Sequence, residues 1–343
     1  MQASRISKGA GALPRGVINI EARGWAQNAG AAIGQAPHRR RQGGGRIGLT
    51  VCAVLLLGMA VWWLAGHPAE PPAEQQMILL RHTEDGRSEE MALEDALVGF
   101  VAAEMPASWG EAALQAQAVA ARSFVMSRYL ADGEVCDDIG HCLAYLDEDE
   151  RRQRWGLHYA ANESRIRAAV AATSGEVLSA EGGLVPGYFH ASCGGTTESS
   201  AVAWGGEELY PSVECFWDGG AADGAARFFP REELAEVLGV DAAALPLLHI
   251  TAHSASGRVR EVTCGSRHWS GSEFRGLLGL ASTNFNWLSA AEGYLFNVWG
   301  YGHGVGMCQQ GAEGMAAAGY DYRAILQAYY SGCGIDSLSA VLP

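Results

Sequence analysis

Apolar residues recur at helical spacing in two successive segments near the middle of the chain. The first stripe consists of Leu93, Ala96, Leu97, Phe100 and Val101. It predicts a helix from Leu93 to Glu104, which Pro106 ends because proline cannot continue the backbone hydrogen bonding. Ser108 is a suitable N-cap for a second helix, EAALQAQAVAARSFVMSRYL, with Glu111 completing a capping box. Glu104 is therefore predicted to lie at a corner between two helices.

The pattern changes to short β-like runs after residue 175. These are GEVLSAEGGLVPGYF and LHITAHSASGRVREVTC, the second with a turn at SASGR. Further helices are predicted over 162–173, 274–280 and 320–330, and a strand over 295–299, while 132–154 reads as a polar loop. Helices that enclose antiparallel hairpins predict an α+β fold.

A run of nineteen uncharged residues, 47–65, is long enough to cross a bilayer as a helix. Arginines precede it and glutamates follow it, so the positive-inside rule predicts a cytoplasmic tail over 1–46 and an extracytoplasmic body. We predict a single-pass anchor in the cytoplasmic membrane; a cleaved signal peptide is the alternative. A Pro/Glu-rich stretch begins at Gly66, and we predict a linker over 66–90 and one folded domain over 91–337.

Charge is distributed very unevenly along the chain. The formal net charge is −14, but residues 1–46 hold eight basic residues against one acidic residue, so the rest of the chain carries −21. A body this acidic will not attract a polyanion, and the basic tail is too small and too rich in glycine and alanine to form a nucleic-acid-binding module. We therefore expect no nucleic-acid partner.

Cysteines supply one candidate metal site. Cys136, His141 and Cys142 lie within seven residues and offer three zinc ligands, whereas a disulfide between the two cysteines is the alternative outside the membrane. Seven cysteines follow the apolar run, and this odd number leaves at least one of them free or shared.

Glu104 is the candidate for acid/base chemistry. A carboxyl group beside Met105, Pro106 and Trp109 would be partly desolvated, which raises its pKa towards that of a usable general acid. On composition alone a surface glutamate at a helix end is the plainer interpretation. Arg122 by itself would likewise be read as part of a structural ion pair.

Two glycine-containing segments are candidates for binding a polymer. In GYFHASCGGTTESSAVAWGG, Gly194 and Gly195 permit a tight turn or the close approach of a chain, and a thiol nucleophile formed by Cys193 and His190 is a weaker alternative. In NVWGYGHGVGMCQQGAEGMA, glycine alternates with larger residues, so an extended segment would have one flat face suited to a sugar chain. A structural turn and a structural histidine are the respective alternatives. The chain has no HExxH or GxSxG motif, which sets aside metalloprotease and serine-hydrolase chemistry.

Taken together, six segments resemble the SpoIID/LytB family over roughly 91–335. They are EMPASWGEAALQAQAVAARSF, CDDIGHC, AVAATSGEVL, FHASCGGTTES, GLLGLASTNF and GYGHGVGMCQQGAEGMAAAGYDYRAILQAYYSG. The resemblance implies a lytic transglycosylase with its own α+β fold, which acts on peptidoglycan glycan strands stripped of stem peptides and works with a cell-wall amidase. It implies that Glu104 is catalytic, that Arg122 lines the site and that, as in some relatives, the Cys136/His141/Cys142 cluster holds a structural zinc ion. Cys308 stands where the family more often has serine, and Cys193 where it has serine or cysteine.

From these segments we predict a set of substrate contacts around Glu104. They are Arg122, Tyr188, His190, Gly194, Gly195, Tyr301, His303 and Gln309. The implied reaction needs no cofactor and one carboxyl group only, because the nucleophile is the C6 hydroxyl of the cleaved sugar itself. Arg122 is expected to bind the free lactyl carboxylate of MurNAc. A non-catalytic wall-binding amidase enhancer is the alternative function, and a wall peptidase is a third.

Overall fold

The structure is a computed structural model, and it describes residues 75–219 and 225–342. The helices are Leu93–Glu104 (α1), Glu111–Asp132 (α2), Glu148–Trp155 (α3), Tyr159–Ala172 (α4), Ser200–Trp204 (α5), Arg231–Leu238 (α6), Gly271–Leu278 (α7), Gln309–Ala317 (α8), Tyr322–Tyr329 (α9) and Leu338–Val341 (α10). Short 3₁₀ helices occupy Gly156–His158 and Ala242–Leu247.

The strands are short and form several small sheets. They are Met77–Arg81 (β1), Ser88–Ala92 (β2), Val135–Cys136 (β3), Glu176–Ala180 (β4), Gly183–Leu184 (β5), Phe189–His190 (β6), Ala225–Pro230 (β7), Leu248–His253 (β8), Val259–Cys264 (β9), Arg267–Ser270 (β10), Phe285–Ser289 (β11), Gly293–Val298 (β12), Met307–Cys308 (β13) and Gly334–Ser337 (β14). The sheet orders are β2-β1-β3, β10-β9-β8, β11-β12-β7, β13-β6 and β14-β4-β5. The pairs β1–β3 and β13–β6 are parallel, and the others are antiparallel. This mixture of helices and antiparallel strands confirms the predicted α+β class.

Two hydrophobic cores stabilise the described part of the chain. The first surrounds α2, whose alanines let α1, α4, α8 and α9 approach it closely. The second lies among β7–β12, α6 and α7 and is rich in aromatic rings, with Phe274 stacked on Phe285 at 5.6 Å. Burying large aromatic side chains contributes strongly to stability. Each of the two regions is therefore stabilised by a hydrophobic core of its own.

The predicted corner between the first two helices is present, but the second helix begins differently. The structure ends α1 at Glu104 and starts α2 at Glu111 with Gly110 as N-cap, so the Ser108 capping box is wrong. The Gly110 N–H instead donates to Glu313 Oε2 at 2.7 Å. A carboxylate from a distant helix thus satisfies a backbone donor that the local sequence was expected to satisfy.

The beginning of the folded part also differs from the prediction. Strands β1 and β2 pair over Met77–Ala92, so β1 and the first three residues of β2 lie in the range 66–90 predicted as linker. Polar residues on the exposed positions of β2 hid its strand character. The predicted loop 132–154 contains β3 and most of α3, whose N-cap Asp147 forms a capping box with Glu150.

The predicted anchor 47–65 and the basic tail 1–46 lie outside the described residues. Within 75–219 and 225–342, no helix combines the length and the apolar character needed to cross a membrane.

Candidate functional site

Glu104 occupies the last position of α1, where the chain turns towards α2. Its side chain is partly buried, and Oε1 accepts a hydrogen bond from the Ala144 N–H at 3.3 Å. Gln309 lies beneath the corner: its amide donates to the Glu104 main-chain oxygen and to Gln117 Oε1, each at 3.2 Å. The corner is therefore held from two sides by residues far away in sequence.

The environment of Glu104 favours a protonated carboxyl group. Burial raises its pKa, while the Ala144 N–H and the Gln309 amide oppose this effect without cancelling it. Among the described residues, no second carboxylate and no cation contributes to the shift. Such a group can donate a proton at a higher pH than an exposed glutamate can.

Gln309, predicted as a substrate contact, has a buried side chain that is bonded to the corner. This position suits it to supporting Glu104.

Arg122 does not lie at a surface. Its side chain is 0% exposed, and its guanidinium binds Glu94 through two hydrogen bonds of 2.9 and 2.7 Å. It also donates to the main-chain oxygens of Glu176 and Val170. A glycan strand cannot reach a guanidinium enclosed in this way, so the predicted lactyl contact is corrected to a structural ion pair that joins α1, α2, α4 and β4.

The glycine-rich segment, residues 300–306, is not an extended strip. Gly300, Gly302, Gly304 and Gly306 all have positive φ, between 71° and 106°. A Cβ on Gly306 would lie 2.0 Å from the Tyr188 main-chain oxygen, and one on Gly302 would lie 2.9 Å from the His190 Cβ. The prediction of a flat face for a sugar is wrong, since these glycines turn inward and let the segment lie directly on residues 188–194.

The same packing determines the positions of the predicted residues in 187–195. His190 is buried, with Nδ1 at 3.0 Å from the Val305 oxygen. Gly194 fits against Asn284 and Trp299, whereas a Cβ on Gly195 would meet open space. His190 is thus enclosed by the protein. Of the two glycines, Gly195 borders open space and Gly194 does not.

Several aromatic rings lie at the edge of the contact between residues 188–194 and 300–306. His303 lies 5.2 Å from Trp204 and 6.4 Å from Tyr188 between ring centroids, and Tyr188 lies 4.5 Å from Trp204. Trp204 is 51% exposed and Tyr301 is 64% exposed. Aromatic faces suit stacking against sugar rings, so the exposed Tyr301 and the half-buried Tyr188 and His303 remain candidate contacts. Trp204 joins them, although only its place in an AVAWGG run could have indicated it.

A pocket of about 130 Å³ opens beside these rings. Its lining includes Trp204 and His303 together with Arg258, Arg260 and Arg275, and its one carboxylate is that of Glu198. Ser254, Ser256 and the Ser199 N–H already occupy the Glu198 oxygens. In an acidic body, this pocket is a local concentration of positive charge that can receive an anionic group.

Arg258 differs from Arg122 in its hydrogen bonding. Nη2 donates to the Cys193 oxygen at 2.7 Å, but Nε and Nη1 are buried with no hydrogen-bond partner among the described residues. Burial lowers the pKa of Arg258 and, with Arg275 and Arg258 nearby, lowers that of His303 to about 4. His303 is therefore neutral at physiological pH, and the cationic character of the pocket comes from its arginines.

The predicted cysteine–histidine cluster is assembled in the fold. His141 Nδ1 lies 3.4 Å from Cys136 Sγ and 3.3 Å from Cys142 Sγ. His141 Nε2 lies 2.8 Å from Nη2 of Arg128, which can only donate, so Nε2 accepts and Nδ1 carries the proton. Two sulfurs and one ring nitrogen suit zinc, but ligation through Nδ1 needs the tautomer with a proton on Nε2, and Arg128 would then have to move away from that nitrogen. Zinc binding here stays a prediction.

Comparison with known proteins assigns the chain to a family. The family model described as stage II sporulation protein, SpoIID, matches residues 82–179. Stage II sporulation protein D of Bacillus amyloliquefaciens is 31% identical over 286 residues, covering 80% of this chain and 83% of the relative. The chain belongs to the SpoIID family. Stage II sporulation protein D of Bacillus subtilis (strain 168) is also 31% identical, over 74% of this chain and 77% of its own length.

A more distant relative has a different printed name. The amidase enhancer of Bacillus subtilis (strain 168) is 26% identical over 70% of this chain, which corresponds to 40% of that protein. The SpoIID match at 82–179 includes Glu104, Arg122 and the Cys136/His141/Cys142 cluster. Trp204 and Arg258 lie beyond that range. No local motif indicated Arg258, because what distinguishes it is the lack of hydrogen-bond partners for two buried nitrogens among the described residues.

Proposed function

We propose that this SpoIID protein is a peptidoglycan lytic transglycosylase with Glu104 as its general acid and base. One observation carries the proposal: a partly buried carboxyl group with a raised pKa lies at a helix corner, and in the part of the chain that the structure describes no second carboxylate contributes to that pKa. A hydrolytic glycosidase needs two carboxyl groups, whereas an intramolecular nucleophile removes the need for a water-activating base.

In the proposed reaction, the Glu104 carboxyl group protonates the oxygen that links C1 of MurNAc to GlcNAc, and the C1–O bond breaks. The resulting Glu104 carboxylate then takes the proton from the C6 hydroxyl of the same MurNAc, and O6 forms a new bond to C1. The products are a GlcNAc hydroxyl and a 1,6-anhydroMurNAc end, and Glu104 returns to its protonated state. The raised pKa favours the first step, and no cofactor takes part.

The positive pocket supports a preference for strands without stem peptides. After an amidase removes the peptide, each MurNAc carries a free lactyl carboxylate. Arg260 and Arg275 offer this anion charged donors in a partly enclosed site, the buried Arg258 adds positive charge behind them, and the exposed ring of Trp204 lies at its edge. In this proposal the pocket replaces Arg122 as the carboxylate receptor, and a wall amidase acts before this protein.

The proposed setting is the outer face of the cytoplasmic membrane, with the residues before 75 as tether. A structural zinc ion at Cys136, His141 and Cys142 is the proposed state of that cluster.

Mass spectrometry of digested sacculi tests the activity. The full chain is incubated with amidase-treated sacculi, and the expected products carry anhydro ends, one water lighter than hydrolytic products. Glu104→Gln should abolish them, because glutamine keeps the acceptor for Ala144 but has no proton to donate and recover. Glu232→Gln, at an exposed position in α6, is the matched control and should leave the yield unchanged. Products from Glu104→Gln at the parent rate would contradict the proposal.

The likeness to an amidase enhancer favours a second candidate function, a wall-binding protein that stimulates an amidase. In that case the protein would release no anhydro ends but would increase the rate at which an amidase frees stem peptides. The increase should be equal for the parent and for Glu104→Gln, since no chemistry at Glu104 is required.

A further inference from the structure

Four side chains outside the proposed reaction meet where β6 and the following residues cross β13 and the start of α8. A ring nitrogen of His190 and the sulfurs of Cys193 and Cys308 all lie within 4.8 Å of one another. The sulfur of Cys215 lies beside this group but not within that distance of every member: it would be 2.5 Å from a Cβ on Gly311, whose N–H donates to Cys308 Sγ. All four side chains are buried, and the three cysteines are unpaired.

The histidine already has the proton arrangement of a metal ligand. The Val305 oxygen only accepts, so the 3.0 Å contact requires His190 Nδ1 to carry the proton and donate it. Nε2 is then a bare lone pair, buried and without a partner in the part of the chain that the structure describes. Histidine ligands commonly donate their other ring N–H to a backbone carbonyl in this manner.

Each of the three sulfurs also has a polar neighbour outside the group. Cys308 Sγ accepts from the Gly311 N–H at 3.3 Å, at the N-terminus of α8, and Cys215 Sγ lies 3.0 Å from the Tyr329 hydroxyl. Cys193 Sγ donates to Asp218 Oδ2 at 3.2 Å, so this thiol has to lose its proton when it binds a metal ion. A divalent cation binds such sulfurs as thiolates, and its binding releases their protons.

A disulfide would leave more of these buried side chains without a partner than a metal ion would. Three sulfurs cannot all pair, so any one disulfide leaves a buried thiol and leaves His190 Nε2 without a partner. An unsatisfied buried nitrogen costs about 1–3 kcal/mol. Zinc prefers four tetrahedral nitrogen and sulfur ligands in closed structural sites.

We propose that His190, Cys193, Cys215 and Cys308 form a structural zinc site of the Cys₃His type, separate from the Cys136/His141/Cys142 cluster. The ion would tie β6, the loop around Cys215 and the start of α8 together. Because Gln309 directly follows Cys308 and supports the Glu104 corner, the site also fixes one side of the candidate catalytic region. This inference does not depend on the proposed reaction.

Metal analysis of full-chain variants tests the site. Replacing both Cys136 and Cys142 by serine removes the other cluster, so zinc that this background retains after dialysis reports on the new site. We expect about one equivalent per chain. Adding Cys308→Ser should reduce it to a small fraction, whereas adding Cys264→Ser, a buried cysteine of the second core, should leave it unchanged. A background without zinc, or equal zinc with and without Cys308→Ser, would overturn the proposal.

A second measurement uses the unmodified chain and does not depend on how a variant folds. A membrane-permeant zinc chelator should make Cys193, Cys215 and Cys308 react together with an alkylating reagent, with no change in the rate at Cys264. Peptide mass spectrometry identifies each labelled position. A disulfide between any two of the three cysteines, or labelling that ignores the chelator, would argue against zinc.

Discussion

Arg122 and Arg258 are both buried, but the regions around them satisfy them to different degrees. Around Arg122, in the helical region of α1, α2 and α4, the guanidinium pairs with Glu94 and with two main-chain oxygens. Around Arg258, where 188–194 meets 300–306, two nitrogens have no partner among the described residues, and His190 Nε2 is likewise unsatisfied. Buried polar groups are nearly always paired in folded proteins, so these nitrogens need an explanation, as do Gln117 Nε2 and Arg128 Nε in α2. The contrast is therefore one between a guanidinium whose nitrogens are all hydrogen-bonded and one with two nitrogens that have no partner among the described residues.

Replacing each arginine by methionine tests this contrast with the largest expected effect. Arg122→Met removes one partner of a buried ion pair, and the free energy of unfolding should fall by about 3–5 kcal/mol. Arg258→Met leaves only the Cys193 main-chain oxygen without its donor and should cost about 1–3 kcal/mol. Urea unfolding measures both changes, and equal losses would remove the distinction between the two regions.

Glycine substitutions test how tightly residues 300–306 pack on residues 188–194. Gly306→Ala places a Cβ against the Tyr188 oxygen at a φ of 71°, and should destabilise the protein by about 1–3 kcal/mol. Gly276→Ala is the matched control, because Gly276 lies in α7 with open space around it, and there alanine should stabilise by about 0.5–1 kcal/mol. Thermal melts show whether each substitution lowers or raises the melting temperature. A harmless Gly306→Ala would mean that 300–306 can move away from residues 188–194.

Charge removal at the pocket sharpens the binding side of the comparison. Arg260 is exposed, so Arg260→Gln should leave stability unchanged and weaken binding to amidase-treated strands by up to about fivefold. Binding to strands with intact stem peptides should change less, since their lactyl groups are uncharged. Arg87→Gln, an equal charge change between β1 and β2, is the control. Co-sedimentation with Glu104→Gln as the common background separates binding from cleavage.

The smallest expected effect concerns the stability of the Glu104 corner. The pKa of Glu104 is raised in the folded protein, so its proton stabilises the fold below the unfolded pKa, and that contribution is lost as pH rises through the folded pKa. Glu104→Gln should therefore match the parent in acid and melt slightly higher at neutral pH. A lower melting temperature at neutral pH would show that the ionised carboxylate is stabilising.

Helix and hairpin positions could be read from the sequence because local periodicity determines them. The stripe beginning at Leu93 predicted α1 to its last residue, and the turn at SASGR predicted the β8–β9 hairpin. The Ser108 cap failed since Glu313 supplies the bond from elsewhere in the chain. The prediction of an extended segment over 300–306 failed for a different reason. Alternating glycines also fit a chain that turns at each glycine, and only the φ values distinguish that chain from an extended one.

The sequence by itself determined the α+β class, the corner that carries Glu104 and the SpoIID resemblance that the comparisons confirmed. It also brought Cys136, His141 and Cys142 within seven residues. The tertiary structure decided which buried groups find partners. Glu94 reaches Arg122 across 28 positions, and Cys308 approaches Cys193 across more than a hundred. Hydrogen-bond satisfaction in a core depends on such distant neighbours, so the roles of Arg122, Arg258 and His190 become visible only after the chain has folded.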